Sequence, residues 1–240
     1  MTAYAPATRP TLYFIGVTTG SSSIMRVFPA WAEYLGLADA AIAGIDFPLH
    51  AEPARYREAV RFIKDDPLSR GALVTTHKID LFDACRDLFD KIDPHAALME
   101  ETSCLSKAGA ALVAHAKDPI SAGLTLDGFL PADHFASNGA ELLVIGAGGS
   151  ATAITWHLLR RSRGRNVPRR IIISDRSAER LEAIRDFHRN IDTEAALDYV
   201  HATPPGDHHS LLETLSPLSV LMSTKGLGKD AKGSPLSDTA

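Results

Sequence analysis

Residues 141–161 read ELLVIGAGGSATAITWHLLRR. An apolar strand runs into a glycine-rich turn, and an amphipathic helix leaves it. Gly146, Gly148 and Ala151 match the spacing G-x-G-x-x-G/A. Each position has a physical reason: the first glycine allows a tight turn, the second lets backbone approach a pyrophosphate, and the small third residue permits close helix–strand packing. The helix start, Gly149 and Ser150 included, offers unbonded N–H groups and a partial positive charge to phosphate. A glycine turn alone is a weak signal. Here the next apolar run, RRIIISDRS (169–177), ends on Asp175, where an acidic residue can bond a ribose hydroxyl. The stretch therefore predicts dinucleotide binding by Gly146, Gly148, Gly149, Ser150, Ala151 and Asp175. Asp175 would repel a 2′-phosphate, whereas Arg176 and Arg180 suit one. The balance leans slightly to NAD over NADP.

Working outward, strand and helix patterns alternate strictly: strands at 141–145, 170–174, 198–202 and 218–223, helices at 150–162, 177–189 and 208–215. Such alternation implies a parallel sheet covered by helices. Upstream, FASNGAE (135–141) is polar and turn-rich, and it reads as a boundary near 135 between a first domain (1–135) and a second (136–240). The first domain alternates too. TLYFIGVT (11–18), AIAGIDFPL (41–49) and GALVTT (71–76) suit buried strands. Ser21, Ser22 and Ser23 are good helix starters, but Pro29 predicts a late start or a kink. Tyr56, Ala59, Val60 and Ile63 share one helical face, and Leu81, Phe82, Cys85, Leu88 and Phe89 mark another. Residues 102–126 read as short strands with a turn at 107–109.

The chain has 240 residues, 45% hydrophobic and 22% charged, with a net charge of -4. That is enough for a real core and argues against nucleic acid as a main partner. The N-terminus has no signal-like apolar core, and no apolar run is long enough to span a bilayer. Cys85 and Cys104 then read as reduced thiols of a cytoplasmic protein. His208 and His209 are adjacent and point apart on a helix, with no matching ligand cluster, so no metal site is expected.

Several blocks, taken in order, resemble the shikimate/quinate dehydrogenase family. GALVTTHK (71–78) is similar to its G-x-N-V-T-x-P-H-K block and GLTLDGF (123–129) to its G-Y-N-T-D-G block. GAGGSATA (146–153) resembles its G-A-G-G-A-x-x-A turn, SDRSAER (174–180) its N-R-T-x-x-R segment, and LMSTKGLG (221–228) its N-A-T-P-x-G segment. HATPPGD (201–207) is closer to the last by letter, but it follows the third strand of its domain. The resemblance implies an α/β substrate domain followed by a Rossmann-type dinucleotide domain, and an oxidoreductase passing hydride between NAD or NADP and a small hydroxylated ring acid. It implies Lys78 and Asp127 as the catalytic pair, with substrate in the cleft between domains and Thr224 lining the nicotinamide side. A lysine near a carboxylate can shuttle the alcohol proton and steady alkoxide charge. Desolvation lowers a lysine pKa and a nearby carboxylate raises it.

The departures gather at the substrate end. Leu73, Glu101 and Thr125 stand where the family has asparagines, and the proline before His77-Lys78 is missing, with Thr75 retained. The carboxylate-holding Ser-x-Ser falls either at Ser22-x-Ile24 or, with a one-residue slip, at Ser21-x-Ser23. A glutamate near an anionic substrate is unfavourable, so shikimate is not the expected best substrate; an amino analogue or a less charged polyol fits better. The family's C-terminal return helices have no counterpart after GKDAKGSPLSDTA (228–240), which implies a shortened form or part of a longer product. The second reading is a dinucleotide- or metabolite-binding sensor that kept the scaffold and lost turnover. Either reading takes a small-molecule partner and leaves room for a homodimer.

Overall fold

The computed structural model describes residues 4–202, 205–224 and 236. The chain divides into two compact units between Lys117 and Asp118, upstream of the expected boundary near 135.

The first unit contains β1 (Thr11–Gly16), α1 (Ser23–Tyr34), β2 (Ala41–Asp46), α2 (Pro53–Asp65), β3 (Ser69–Val74), α3 (Lys78–Cys85), β4 (Lys91–Ile92), α4 (Pro94–Met99), β5 (Cys104–Ala108) and β6 (Ala111–His115). Its sheet has the order β2-β1-β3-β5-β6-β4. β1 runs parallel to β2 and β3, while β5 is antiparallel to both β3 and β6. The predicted face of α2, with Tyr56, Ala59, Val60 and Ile63, is fully buried against β1 and β3 residues such as Ile15, Ala72 and Val74. Gly71 has φ +111, and a Cβ there would lie 2.0 Å from the Leu105 carbonyl oxygen; only glycine lets β3 and β5 approach there. Pro29 does not delay α1, which begins at Ser23 and carries the exposed proline inside it.

The second unit contains α5 (Asp118–Phe129), α6 (His134–Asn138), β7 (Leu142–Ile145), α7 (Gly149–Leu159), β8 (Arg170–Asp175), α8 (Ala178–His188), β9 (Ala196–His201), α9 (Pro205–Glu213) and β10 (Val220–Ser223). Its sheet, β10-β7-β8-β9, is parallel throughout, as the alternation predicts. β7 is buried at every residue. Residues 102–126 correct the strand reading. A hairpin, β5–β6, occupies only the first part, and α5 takes residues 118–129. The apolar positions of α5 follow no clean stripe, and Gly123 and Gly128 weaken its helical signal. Asp118 and Pro119 at its start are ordinary helix-opening residues that the strand reading passed over.

No helix among the described residues is long and apolar enough to cross a membrane. Cys85 is buried and Cys104 partly so, both as free thiols, and burial pushes the Cys85 thiol up to about 12.

A buried polar chain braces α7. Thr155 Oγ1 donates to the Ala151 carbonyl (2.8 Å), so it accepts from His188 Nε2 (2.7 Å), and His188 Nδ1 accepts from the Tyr199 hydroxyl (2.8 Å). This arrangement holds His188 neutral, and burial pushes its pKa from 6.5 down to about 4. A histidine whose folded pKa is depressed contributes stability above its unfolded value that is lost as pH falls. His188 should therefore weaken the fold between pH 6.5 and 4, by up to about 3 kcal/mol. Urea midpoints taken down this range should fall more steeply for the native chain than for His188→Leu.

Candidate functional site

In the first unit the carboxyl ends of β1, β2 and β3 lie along one sheet edge, where ligands of α/β sheets bind. Ser21–Ser23 follow β1, and Thr75 and Lys78 follow β3. Since β5 is antiparallel to β3, with Leu73 opposite Cys104, residues 101–103 reach the same edge. Short hydrogen bonds tie it together. Thr75 N–H donates to the Ile15 carbonyl (3.0 Å), Val74 N–H to Ser103 (2.9 Å), and Thr102 N–H to the Lys78 carbonyl (3.1 Å). The last bond sets the neighbouring Glu101 close along the chain to Lys78. Glu101 is only 2% exposed. Asp46 Oδ1 accepts from both the backbone N–H (2.9 Å) and the hydroxyl (2.6 Å) of Thr19, which anchors the loop carrying Ser21–Ser23. Ser21 Oγ donates to the Thr18 carbonyl (3.3 Å), and Ser22 stands at the N-cap position of α1 without a side-chain capping bond.

Lys78 is half-buried and opens α3. The chain reaches it through an unusual turn. Thr76 has φ +61, and His77 N–H bonds back to the Thr75 carbonyl at 2.6 Å. This is a γ-turn on a β-branched residue, a conformation that costs of order 1–3 kcal/mol. The turn falls in the block that is one residue shorter than the T-x-P-H-K pattern it resembles.

In the second unit the fingerprint residues behave as their spacing predicts. Gly146 has φ +117, and its N–H donates to the Ser174 carbonyl (2.7 Å). Ala151 is fully buried against β7 and β8 residues. Gly148 precedes α7 without any side-chain cap, and a Cβ there would meet no atom within 4 Å. An open cradle at a helix start, lined by backbone, fits a pyrophosphate. Asp175 does more than the fingerprint implies. Its carboxylate, 4% exposed, accepts from Ala147 N–H (3.0 Å) and Ser177 N–H (2.9 Å), joining the glycine turn to the turn after β8. Arg176 and Arg180 are exposed beside it. Thr224 donates both its N–H (2.9 Å) and its hydroxyl (3.2 Å) to the Ile145 carbonyl, at the end of β7 next to Gly146. Lys225–Gly228 of the matched segment lie outside the described residues.

Asp127 lies in the last turn of α5, where its oxygens meet Arg163 Nη1 (2.7 Å) and His157 Nε2 (3.2 Å) within the second unit. Partial burial pushes its carboxyl up, but the Arg163 hydrogen bond and charge outweigh that and hold it below the usual range. Thr125 Oγ1 is spent on the Ser121 carbonyl (2.9 Å). About two and a half turns earlier, Asp118 opens the same helix. It lines a cavity of about 260 Å³ together with Ser121, Thr125 and Ser150 of the fingerprint. The residue before it, Lys117, donates its N–H to Ser103 Oγ (2.8 Å) on the edge that carries Lys78. Asp118 fell inside the stretch read as strands, so its place at a helix start was not expected. His208, on α9, is buried and bonds Ser174 Oγ (3.0 Å). Among the described residues no cluster of three or more metal-ligating side chains occurs.

Among solved structures, shikimate dehydrogenase from Aquifex aeolicus matches at TM-score 0.69 and 17% identity, covering 97% of this chain and 75% of its own. Quinate dehydrogenase from Corynebacterium glutamicum in complex with NAD matches at 0.68 and 15%, covering 95% and 75%. The fold is that of the shikimate and quinate dehydrogenases. A third chain of the shikimate dehydrogenase fold, 5-ketofructose reductase of Gluconobacter sp. strain CHM43, matches at 0.60 and 21%, covering 92% and 71%. No family model and no curated protein matches the sequence.

Proposed function

We propose that the chain is an NAD(P)-dependent oxidoreductase that interconverts a hydroxyl and a carbonyl on a small polyhydroxylated substrate. The observation that carries this reading is the open glycine turn at Gly146–Gly148, set at the start of α7 with space at Gly148 for a phosphate. Gly146–Ala151 would hold the pyrophosphate and Asp175 the adenosine ribose, with NAD preferred over NADP because a buried carboxylate repels a 2′-phosphate. The nicotinamide, when bound, supplies the hydride acceptor. The protein supplies the rest: Lys78 takes the alcohol proton and steadies the negative charge left on oxygen. Within the second unit Asp127, held by Arg163 and His157, and Asp118, which lines a cavity with Ser150, are the candidate carboxylates.

The substrate is proposed to be an uncharged polyol, a ketose or an amino analogue rather than shikimate itself. The buried Glu101 beside Lys78 and the apolar Leu73 support this, because a carboxylate disfavours a second carboxylate at close range. A relative of the same fold named for a ketose is consistent with it. Cofactor reduction at 340 nm, compared across shikimate, quinate, amino analogues and neutral polyols, tests the reading. Glu101→Asn should shift the kcat/KM ratio toward the ring acids by about tenfold or more, equivalent to about 1.4 kcal/mol. A native preference for shikimate, unmoved by that change, would end the substrate assignment.

A further inference from the structure

Behind the strained turn lies a buried pair that the proposed chemistry does not use. Tyr56 and His77 are each 1% exposed. Ala51 N–H donates to the Tyr56 hydroxyl (3.2 Å), so the hydroxyl proton goes to His77 Nδ1 (2.9 Å). The imidazole is thereby fixed as the neutral tautomer with its proton on Nε2, and burial accordingly lowers its pKa. Nε2 has no partner in hydrogen-bond geometry, although the Gly16 and Phe47 carbonyls face it in poorer alignment. Phe47 packs edge-on against both rings, with centroids 4.9 Å from Tyr56 and 5.9 Å from His77.

The backbone of His77 is held as firmly as its ring. Its N–H closes the γ-turn on Thr75, and its carbonyl accepts from Leu81 N–H (2.8 Å), the first bond of α3. On the other side of Lys78, the Lys78 carbonyl takes Thr102 N–H. A polar ring buried with an imperfectly satisfied nitrogen, next to an exposed threonine in the left-handed region, is a poor way to gain stability. It is a good way to impose one backbone geometry on the next residue.

We propose that Tyr56 and His77 are positioning residues: they clamp the strained turn at Thr75–His77 and so fix where α3 starts and where the Lys78 side chain is presented. The inference rests on Lys78 being the proton carrier. It adds that the shortened loop reaches a working geometry only because this clamp holds it.

Three variants, Thr76→Gly, Tyr56→Phe and Lys78→Ala, test the clamp in the intact chain. Thr76→Gly removes the steric reason for strain. It should leave Tm unchanged or higher while lowering kcat by about 10–100-fold, the scale of a misplaced reacting group. Tyr56→Phe should lower kcat similarly and move the pH midpoint of kcat/KM, with little change in cofactor affinity. As a readout that needs no turnover, the lysines are 13C-methylated and the Lys78 resonance is assigned by its loss in Lys78→Ala. Its chemical shift should move in both other variants. If Lys78→Ala abolishes turnover while Thr76→Gly and Tyr56→Phe keep native kcat and pH profiles, the clamp is refuted and the lysine assignment stands. If Lys78→Ala keeps turnover, both fall. An unmoved Lys78 resonance in both variants refutes the clamp without any substrate.

Discussion

Lys78→Ala is expected to lower kcat by about 10²–10⁴-fold, the range for removing a positioned proton carrier, while leaving dinucleotide affinity within about twofold of native, a difference of under half a kcal/mol. The separation follows from where the residues sit. Lys78 opens α3 in the first unit, and every predicted cofactor contact lies in the second. Truncation removes a half-buried side chain from a helix start and leaves the core of α2, β1 and β3 untouched. Stopped-flow cofactor binding together with steady-state rates checks both halves. An equal loss of kcat and cofactor affinity would mean that the change disturbed folding rather than chemistry. An exogenous amine that restores part of the rate would strengthen the assignment.

Gly148→Val should abolish dinucleotide binding, by about 100-fold or more in Kd, roughly 2.7 kcal/mol, with no loss of thermal stability beyond a few degrees. The backbone at Gly148 is extended, at φ -96 and ψ -171, which any residue adopts. Added side-chain atoms begin in open space, since a Cβ meets nothing within 4 Å. They would occupy the place where phosphate must approach the N–H groups of α7. Most glycine substitutions in this chain could not separate binding from folding. A Cβ at Gly71 would strike the Leu105 carbonyl, and one at Gly123 would lie 2.1 Å from His157 Nδ1. Isothermal titration with NAD, next to thermal unfolding of the same samples, distinguishes a filled cradle from a damaged fold.

The second unit was the more legible in sequence. Its central strands β7 and β8 are almost wholly buried and, from β7 onward, strands and helices alternate, so there periodicity and order were enough. The glycine turn carried its own chemistry, and Gly146, Gly148 and Ala151 have the geometry that their spacing requires. The first unit was harder. Its sheet is mixed, and the two-residue β4 leaves too short a trace to read. The error at α5, in the second unit, had a specific cause: two glycines and an irregular apolar pattern hid a helix. The motif D-G at 127–128, which carries the expected catalytic carboxylate, sits in the last turn of that helix, where Arg163 and His157 hold it. The γ-turn at Thr76 was visible only as a missing proline. What a deletion does to backbone angles depends on which flanking groups are fixed, and those are set by the buried Tyr56 and His77.

The double duty of Asp175 bears on redesign. A change of coenzyme is usually sought by neutralising the acid after the second strand and adding cations nearby. Here Asp175→Ala would strip the acceptor from two amides in separate loops, and the cradle would slacken before its selectivity changed. An engineer wanting the phosphorylated coenzyme would do better to keep that carboxylate as a fastener and work outward from the neighbouring guanidinium groups.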